Sequence, residues 1–302
     1  MDRLAAMRTF VEIVDRGSLT AAAVALDRSQ PTVVRALASL EEHLGATLLR
    51  RTTRRMSLTG EGRDYLERCR RILADVEDAE RAVSQDEEEP RGDLRVTAPV
   101  QFGKRYIAPL VTRFLDRHPR VRVDLILVDR LVDLVDEGID LALRIGPLAD
   151  STLVASRVGH VRRVVCASPG RLAESGCPDH PSELSQLPCI RQESLAPGTV
   201  WRFREAGRVT AVPVQGRFAT NQIAAAVAAC IDGAGFGKFL SYQVQPYVDD
   251  GRLRLVLEDF EPEPWPISLV YPSGRILPTR LRALVKQMQQ SLRGHADLAQ
   301  VP

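Results

Sequence analysis

The spacing of apolar residues changes once along this chain, and the change divides it. Up to about residue 85 they recur every three or four positions, as on helix faces; from Asp93 onward short alternating runs are interleaved with helical ones. An all-helical piece followed by a βα-alternating piece requires two domains, which 302 residues accommodate. Charge marks the same junction. Eight arginines oppose three acids between Ala46 and Arg71, whereas eight acids oppose Arg81 alone between Asp75 and Glu89. That is a phosphate-facing segment followed by a solvated one. The run from Asp86 to Gly92, with its breakers, is the predicted boundary.

A net charge of +2 argues by itself for no polyanionic partner, so distribution has to decide. Of 41 basic residues only Lys104, Lys238 and Lys286 are lysine. Arginine suits phosphate forks and groove insertion, and a GC-rich genome is the other reading of the bias. Five cysteines at irregular spacing, without a CxxC pair, suit a reducing cytosol and structural thiols. No apolar run approaches the ~18 residues of a membrane span, so a cytoplasmic protein without membrane contact is predicted.

Leu4, Met7, Val11 and Val14 predict a first helix closed by Gly17, and Ser18 caps a second through Ala22, Ala23 and Leu26. After a turn at Asp27 and Arg28, Ser29 caps a third, with Pro31 in its first turn and Val33, Leu37, Leu40 and Leu44 as its buried stripe. Pro31, Arg35 and Ala38 then point away from the core, with Gln30 and Val34 at the flank. Two short helices around a tight turn describe a helix-turn-helix, or any three-helix bundle. Leu48 to Leu58, around Thr52-Thr53-Arg54-Arg55, reads as a basic hairpin wing, where arginine meets a narrow minor groove. Thr59 caps a further helix. Its Tyr65, Cys69, Ile72, Val76, Ala79 and Val83 form a heptad seam that pairs two chains or packs on its own domain.

These residues resemble the LysR-type transcriptional regulators of bacteria. The matching stretches are FVEIVDRGSLTAAAVAL from Phe10, SQPTVVRALASLEEHLGATLLRRTTRRMSLTGEG from Ser29, and the later DLRVTAPVQFG, EGIDLALRIG and GAGFGKFL. The resemblance implies a winged helix-turn-helix (residues 1–59), a dimerising linker helix (60–89), and an effector-binding domain (90–302). That domain would be two-lobed and α/β, like type 2 periplasmic solute-binding proteins, with lobe I at about 91–160 and 266–302 and lobe II at about 161–265. It also implies double-stranded DNA as partner, self-association as a dimer or tetramer, and RNA polymerase if the protein activates. Ser29, Gln30, Pro31, Thr32, Val34 and Arg35 match the recognition helix, and Arg51, Arg54 and Arg55 the wing. Family members commonly carry serine where this chain has Val34, whose methyl groups offer a thymine contact in place of a donor.

Beyond Asp93 the residues read βαβαβ: strands at Leu94 to Ala98, Val121 to Leu127 and Ile139 to Ile145, and helices at Ile107 to Phe114 and Leu131 to Glu137. A parallel layer is expected. A second array follows, from Val161 to Ser168 through an alanine-rich helix at Gln222 to a last helix from Pro278. Two hinged α/β lobes make a cleft for a ligand. Thr97, Pro99, Val100 and Gln101 follow the first strand, Arg144 and Gly146 end the third, and Thr220 and Asn221 open the alanine-rich helix; these are the expected effector contacts. The alternatives are an ion pair for Arg144 and plain helix capping for Thr220 and Asn221. An unpaired buried guanidinium favours an anionic effector.

Enzyme readings find little support. Gly233-Ala-Gly235-Phe-Gly237 follows a helix and lacks GxGxxG spacing, Cys177 and His180 are too few for a metal site, and no GxSxG or histidine–nucleophile pairing is present. The expectation is a DNA-binding regulator without catalytic residues, cofactor or metal.

Overall fold

The computed structural model describes residues 2–51, 56–84, 89–148, 153–192, 200–273, 277–295 and 298. The chain divides into two units, residues 1–88 and 89–302.

In the first unit each of three helices starts on an oxygen-bearing cap. Asp2 accepts from the Ala5 N–H at 3.1 Å ahead of α1 (Arg3–Arg16), Ser18 from Ala21 at 3.0 Å ahead of α2 (Leu19–Ala25), and Ser29 from Thr32 at 3.4 Å ahead of α3 (Gln30–Leu44). Each satisfies an otherwise orphaned amide, a contribution of about 1 kcal/mol. Gly17 and Gly45 close α1 and α3 in left-handed backbone, with φ of 69° and 64°. An antiparallel hairpin, β1 (Leu49–Arg51) and β2 (Met56–Leu58), leads into α4 (Gly60–Ser84). Phe10, Ile13, Val33, Leu37, Leu40 and Leu48 form one core with Leu66 and Cys69 of α4, each large side chain contributing roughly 1.5–3 kcal/mol by burial.

Three details of the expected stripes are corrected. In α1 the core face is Ala6, Phe10 and Ile13, while Leu4 is 41% exposed. In α3 Leu44, in the last turn before Gly45, lies outside the cluster that takes Val33, Leu37 and Leu40. The seam of α4 is split: the Tyr65 ring lies 6.0 Å from that of Phe10, and Cys69 is fully buried in its own domain. Burial pushes the Cys69 thiol up to about 11. Ile72 is exposed and Val76 half-buried, and the side chains of Ala79 and Val83 lie outside the described residues.

The second unit begins with β3 (Gly92–Ala98), then α5 (Val100–Phe102), which runs through a wide turn into α6 (Ala108–Arg117), β4 (Val121–Leu127), β5 (Leu141–Ile145) and β6 (Leu153–Val161). There follow β7 (Arg163–Ala167), α7 (Pro169–Ser175), β8 (Arg191–Gln192), β9 (Val200–Glu205), β10 (Arg208–Pro213), β11 (Ala219–Thr220) and α8 (Ile223–Ile231). The chain finishes through β12 (Gly237–Leu240), α9 (Ser241–Asp249), β13 (Arg254–Val256), β14 (Trp265–Pro272) and α10 (Thr279–Arg293).

Lobe I is a five-stranded sheet of order β4-β3-β5-β14-β6, in which β3 is parallel to β4 and β5, and β14 is antiparallel to both neighbours. Phe102, Ile107 and Phe114 on one side of the chain and Leu284 and Met288 of α10 share its core with Leu94, Leu141 and Leu269. Lobe II is built on β12-β7-β13, antiparallel throughout, with α8 and α9 packed on it through Val164, Cys166, Val227, Cys230, Phe239 and Val244. The parallel arrangement expected from the alternation therefore holds for β3, β4 and β5 and for the short pair β8 and β11. The helix expected at 131–137 is a turn. The Asp133 carboxylate accepts from the Val135 and Asp136 amides, both at 2.9 Å, so these amides are satisfied locally. Val132 and Leu134 are buried against Ala142 and Val270 while Leu131 and Val135 are 79% and 72% exposed, a two-residue alternation that no helix face can present.

The chain passes between the lobes at Arg162 and returns before Trp265. The Arg162 guanidinium donates twice to Glu261, at 2.8 and 2.6 Å, and to Glu258 at 2.9 Å, which ties the two passages together. These carboxylates hold the guanidinium pKa above its usual value. Among the described residues no helix is long and apolar enough to cross a membrane.

Candidate functional sites

In the helical unit, Val33, Leu37 and Leu40 anchor one side of α3 in the core, and the opposite side starts with Ser29, Gln30, Pro31 and Arg35, all exposed, flanked by half-buried Thr32 and Val34. The Ser29 and Thr32 hydroxyls share a hydrogen bond of 2.8 Å, and Arg35 Nε donates to the Pro31 carbonyl at 3.4 Å. A capped helix start with amide, hydroxyl and guanidinium groups outward is the geometry that reads base edges and phosphates. Glu41 fixes the hairpin to this helix: its Oε1 accepts from the Leu48 and Leu49 amides at 2.7 and 3.1 Å. Arg50 is exposed on β1. Arg51 pairs with Met56 in the hairpin register, and its side chain, like Arg54 and Arg55, lies outside the described residues.

In the two-lobed unit a cavity of about 340 Å³ lies between lobe I residues, including Pro99, Asp129, Arg130, Arg144 and Trp265, and lobe II residues, including Arg163, Gln192, Trp201, Arg202, Lys238 and Phe239. A larger groove of about 710 Å³ on lobe II, between α7 and β13, is lined mainly by apolar side chains, Arg254 and Glu258 apart, so it lacks the several convergent polar groups of a ligand site. The smaller cavity has them. Its wall carries five cationic residues and one acid, Asp129, whose Oδ1 already accepts from the Val100 amide at 3.0 Å.

Each cation is held differently. Arg130 is neutralised by two 2.7 Å bonds to Glu137, and Arg144 donates to the Val132 carbonyl at 2.7 Å. Burial lowers the basicity of Arg144, partly offset by Glu137. The Arg163 guanidinium stacks on Trp265, 4.7 Å from the ring centre, and its buried Nε has no hydrogen-bond partner among the described residues. Lys238 Nζ lies 4.6 Å from the centre of the Phe203 ring and donates to the Arg202 carbonyl. Burial, followed by the neighbouring Arg163 and Arg202 charges, brings the Lys238 ammonium down to about 7.

Of the expected effector contacts, Pro99 and Arg144 line this cavity. Thr97 is buried, and its hydroxyl donates to the Ile126 carbonyl across the sheet at 2.9 Å. Val100 spends its amide on Asp129; Gln101 is half-buried and outside the lining. Gly146, at φ 113°, donates to Pro266 at 2.9 Å and leaves room for Trp265, whose ring a Cβ would meet at 3.5 Å. Thr220 and Asn221 precede the helix they were expected to open: Gln222 is its N-cap, the Thr220 hydroxyl accepts from the Gln222 amide at 3.1 Å, and Asn221 is exposed. Sequence reasoning missed Arg163, Trp201, Arg202 and Lys238. Both ring nitrogens of His180 are engaged, by Ser182 and Glu205. Gly235 lets the turn after α8 pass the Pro188 carbonyl, which a Cβ would approach to 2.4 Å.

A capped helix-turn-helix with a hairpin, joined in one chain to a two-lobed domain enclosing a charged cavity, defines a DNA-binding regulator that responds to a small molecule. Residues 4–63 match the model of the bacterial regulatory helix-turn-helix protein, lysR family, and residues 87–293 that of the LysR substrate binding domain. The chain belongs to the LysR-type transcriptional regulators. It is 36% identical over 299 residues to an HTH-type transcriptional regulator of Xanthomonas campestris pv. campestris, covering 97% of this chain and 87% of that one. It is 35% identical over 285 residues to the HTH-type transcriptional regulator PtxR of Pseudomonas aeruginosa, covering 94% and 91%. Among solved structures, CrgA of Neisseria meningitidis, a LysR-type transcriptional regulator, matches 96% of this chain and 99% of its own at 30% identity, with a TM-score of 0.62.

Proposed function

We propose that this regulator binds its operator as a dimer or a pair of dimers and changes its grip on DNA when a small anion enters the cavity between the lobes. The excess of Arg144, Arg163 and Arg202 over the single acid Asp129 in the cavity wall carries the reading. In it, Ser29, Gln30, Pro31, Thr32, Val34 and Arg35 enter the major groove and Arg51, Arg54 and Arg55 follow the backbone into the minor groove. Arg144 takes the anion, together with Arg163, Arg202 and Lys238. The protein works in the cytoplasm, catalyses no reaction, and contacts RNA polymerase if it activates.

The effector acts on DNA only through different affinities for two arrangements of the assembly. Titrating small carboxylates while footprinting the operator tests this. Arg144→Ala is expected to lose the carboxylate-dependent change in the footprint yet keep DNA binding without ligand. A response of Arg144→Ala at the wild-type concentration makes the arginine structural.

Assembly rests on α4, where Ile72, three residues beyond buried Cys69 on the same seam, is 39% exposed. Ile72→Asp is expected to shift sedimentation at micromolar concentration toward a monomer. Wild-type protein that sediments as a monomer there contradicts the dimer.

A further inference from the structure

In a chain that uses arginine for all but three of its 41 basic residues, lysine is the exception, and Lys104 and Lys286 are both exposed. The third lysine lines the cavity. Arginine serves an anion equally well or better, since its fork matches a carboxylate, but it cannot shed its proton. Lysine can, and an uncharged amine is a nucleophile.

The surroundings of Lys238 favour the uncharged form. Arg163 on β7 and Arg202 on β9 are the charged groups nearest to it; Gln192 on β8 donates to its carbonyl at 2.8 Å, and Tyr242 on α9 lines the same cavity. Asp129, Arg130 and Arg144 face it from lobe I. Among the described residues no carboxylate forms an ion pair with it, and its ammonium loses its proton at about 7. Trp201, Trp265 and Phe239 supply apolar walls that limit competing water.

We propose that Lys238 holds a carbonyl-bearing carboxylate, an oxo acid, as a reversible imine, with Arg163 and Arg202 paired to the carboxylate. The proposal rests on the anion reading of the cavity and adds a bond to it. The amine lone pair attacks the carbonyl carbon, a C–N bond forms, and the carbonyl oxygen leaves as water with the two amine protons. Nothing is oxidised or reduced. The unpartnered Nε of Arg163 supplies a donor for the carboxylate.

The probe is glyoxylate with sodium cyanoborohydride, applied to the full chain near pH 7 and followed by peptide mass spectrometry. A surface lysine is only about one part in a thousand neutral there, so the Lys238 adduct is expected to form at least about tenfold faster than those at Lys104 and Lys286. Arg202→Ala is expected to slow the Lys238 adduct and leave the other two unchanged. Calorimetry with glycolate, which has the carboxylate without the carbonyl, separates the two readings. Equal adduct rates at all three lysines, or glyoxylate binding as tightly to both Lys238→Arg and Lys238→Met as to wild type, overturns the imine. If glycolate still binds in that case, the anion cavity stands alone; if neither acid binds, the anion reading falls as well.

Discussion

Raising monovalent salt from about 50 to 200 mM is expected to weaken binding to a random-sequence duplex by on the order of 10³-fold, the loss for six or more phosphate contacts. The expectation follows from the arginines concentrated between residues 50 and 55 and from Arg35, exposed on the face of α3 opposite Val33, Leu37 and Leu40. Each neutralised phosphate releases condensed counterions, so log K falls by about 0.9 per contact for each tenfold rise in salt. Arg35→Ala is expected to lower affinity and flatten the slope by about one contact. Arg63→Ala, on exposed α4, serves as the comparison and is expected to change both less. Fluorescence anisotropy across a salt series measures the slope; a flat series, or equal losses for the two variants, removes the phosphate-dominated account.

Gly62→Ala is expected to unfold the helical unit while leaving the two-lobed unit intact. A Cβ at Gly62 would sit 2.1 Å from the Leu48 carbonyl oxygen and 2.9 Å from its carbon, both backbone atoms that cannot swing aside. The joint is already crowded with bonds: the Thr59 hydroxyl donates to the Thr47 carbonyl at 2.7 Å and accepts from the Gly62 amide at 2.8 Å. Forcing a methyl into such a place costs about 3 kcal/mol or more, a large share of the stability of a small domain. Gly60→Ala is the control, because nothing lies within 4 Å of its Cβ. Thermal unfolding of the full chain should show one transition displaced in Gly62→Ala and neither in Gly60→Ala. An unchanged thermogram and undiminished DNA binding for Gly62→Ala would contradict the crowding.

What could be read ahead of the structure was what is decided locally. Ser18, Ser29, Gly17 and Gly45 mark helix ends because a cap bonds within three residues of itself. The centre of the α1 face was not legible, because Met7, Val11 and Val14 border the core while Ala6, Phe10 and Ile13 fill it, and only packing against α2, α3 and α4 ranks them. The hairpin of β9 and β10 did carry a signal: Trp201 and Phe203 are buried in alternation with exposed Arg202 and Arg204, ahead of Ala206 and Gly207 at positive φ. The cationic cluster carried none. Arg163, Arg202 and Lys238 come from three strands far apart in sequence, and their meeting is a property of the tertiary fold. Arg144 was legible because it lies near the end of β5 beside the cleft, whereas Thr97 on neighbouring β3 is level with Ala142, two positions deeper in the sheet.

The bonds from Arg162 to Glu261 make lobe II an insertion. The two-lobed unit enters through β3 and finishes with α10, both in lobe I, while everything between residues 162 and 261 leaves and returns at one laced point. A segment whose ends meet can be exchanged as a cassette without disturbing the sheet that hosts it. In this chain the cassette carries Arg163, Arg202 and Lys238, and the host keeps Asp129 and Arg144. Descendants of such a gene can therefore acquire a new ligand chemistry by recombination across this single seam and inherit the host's Asp129 and Arg144 unaltered.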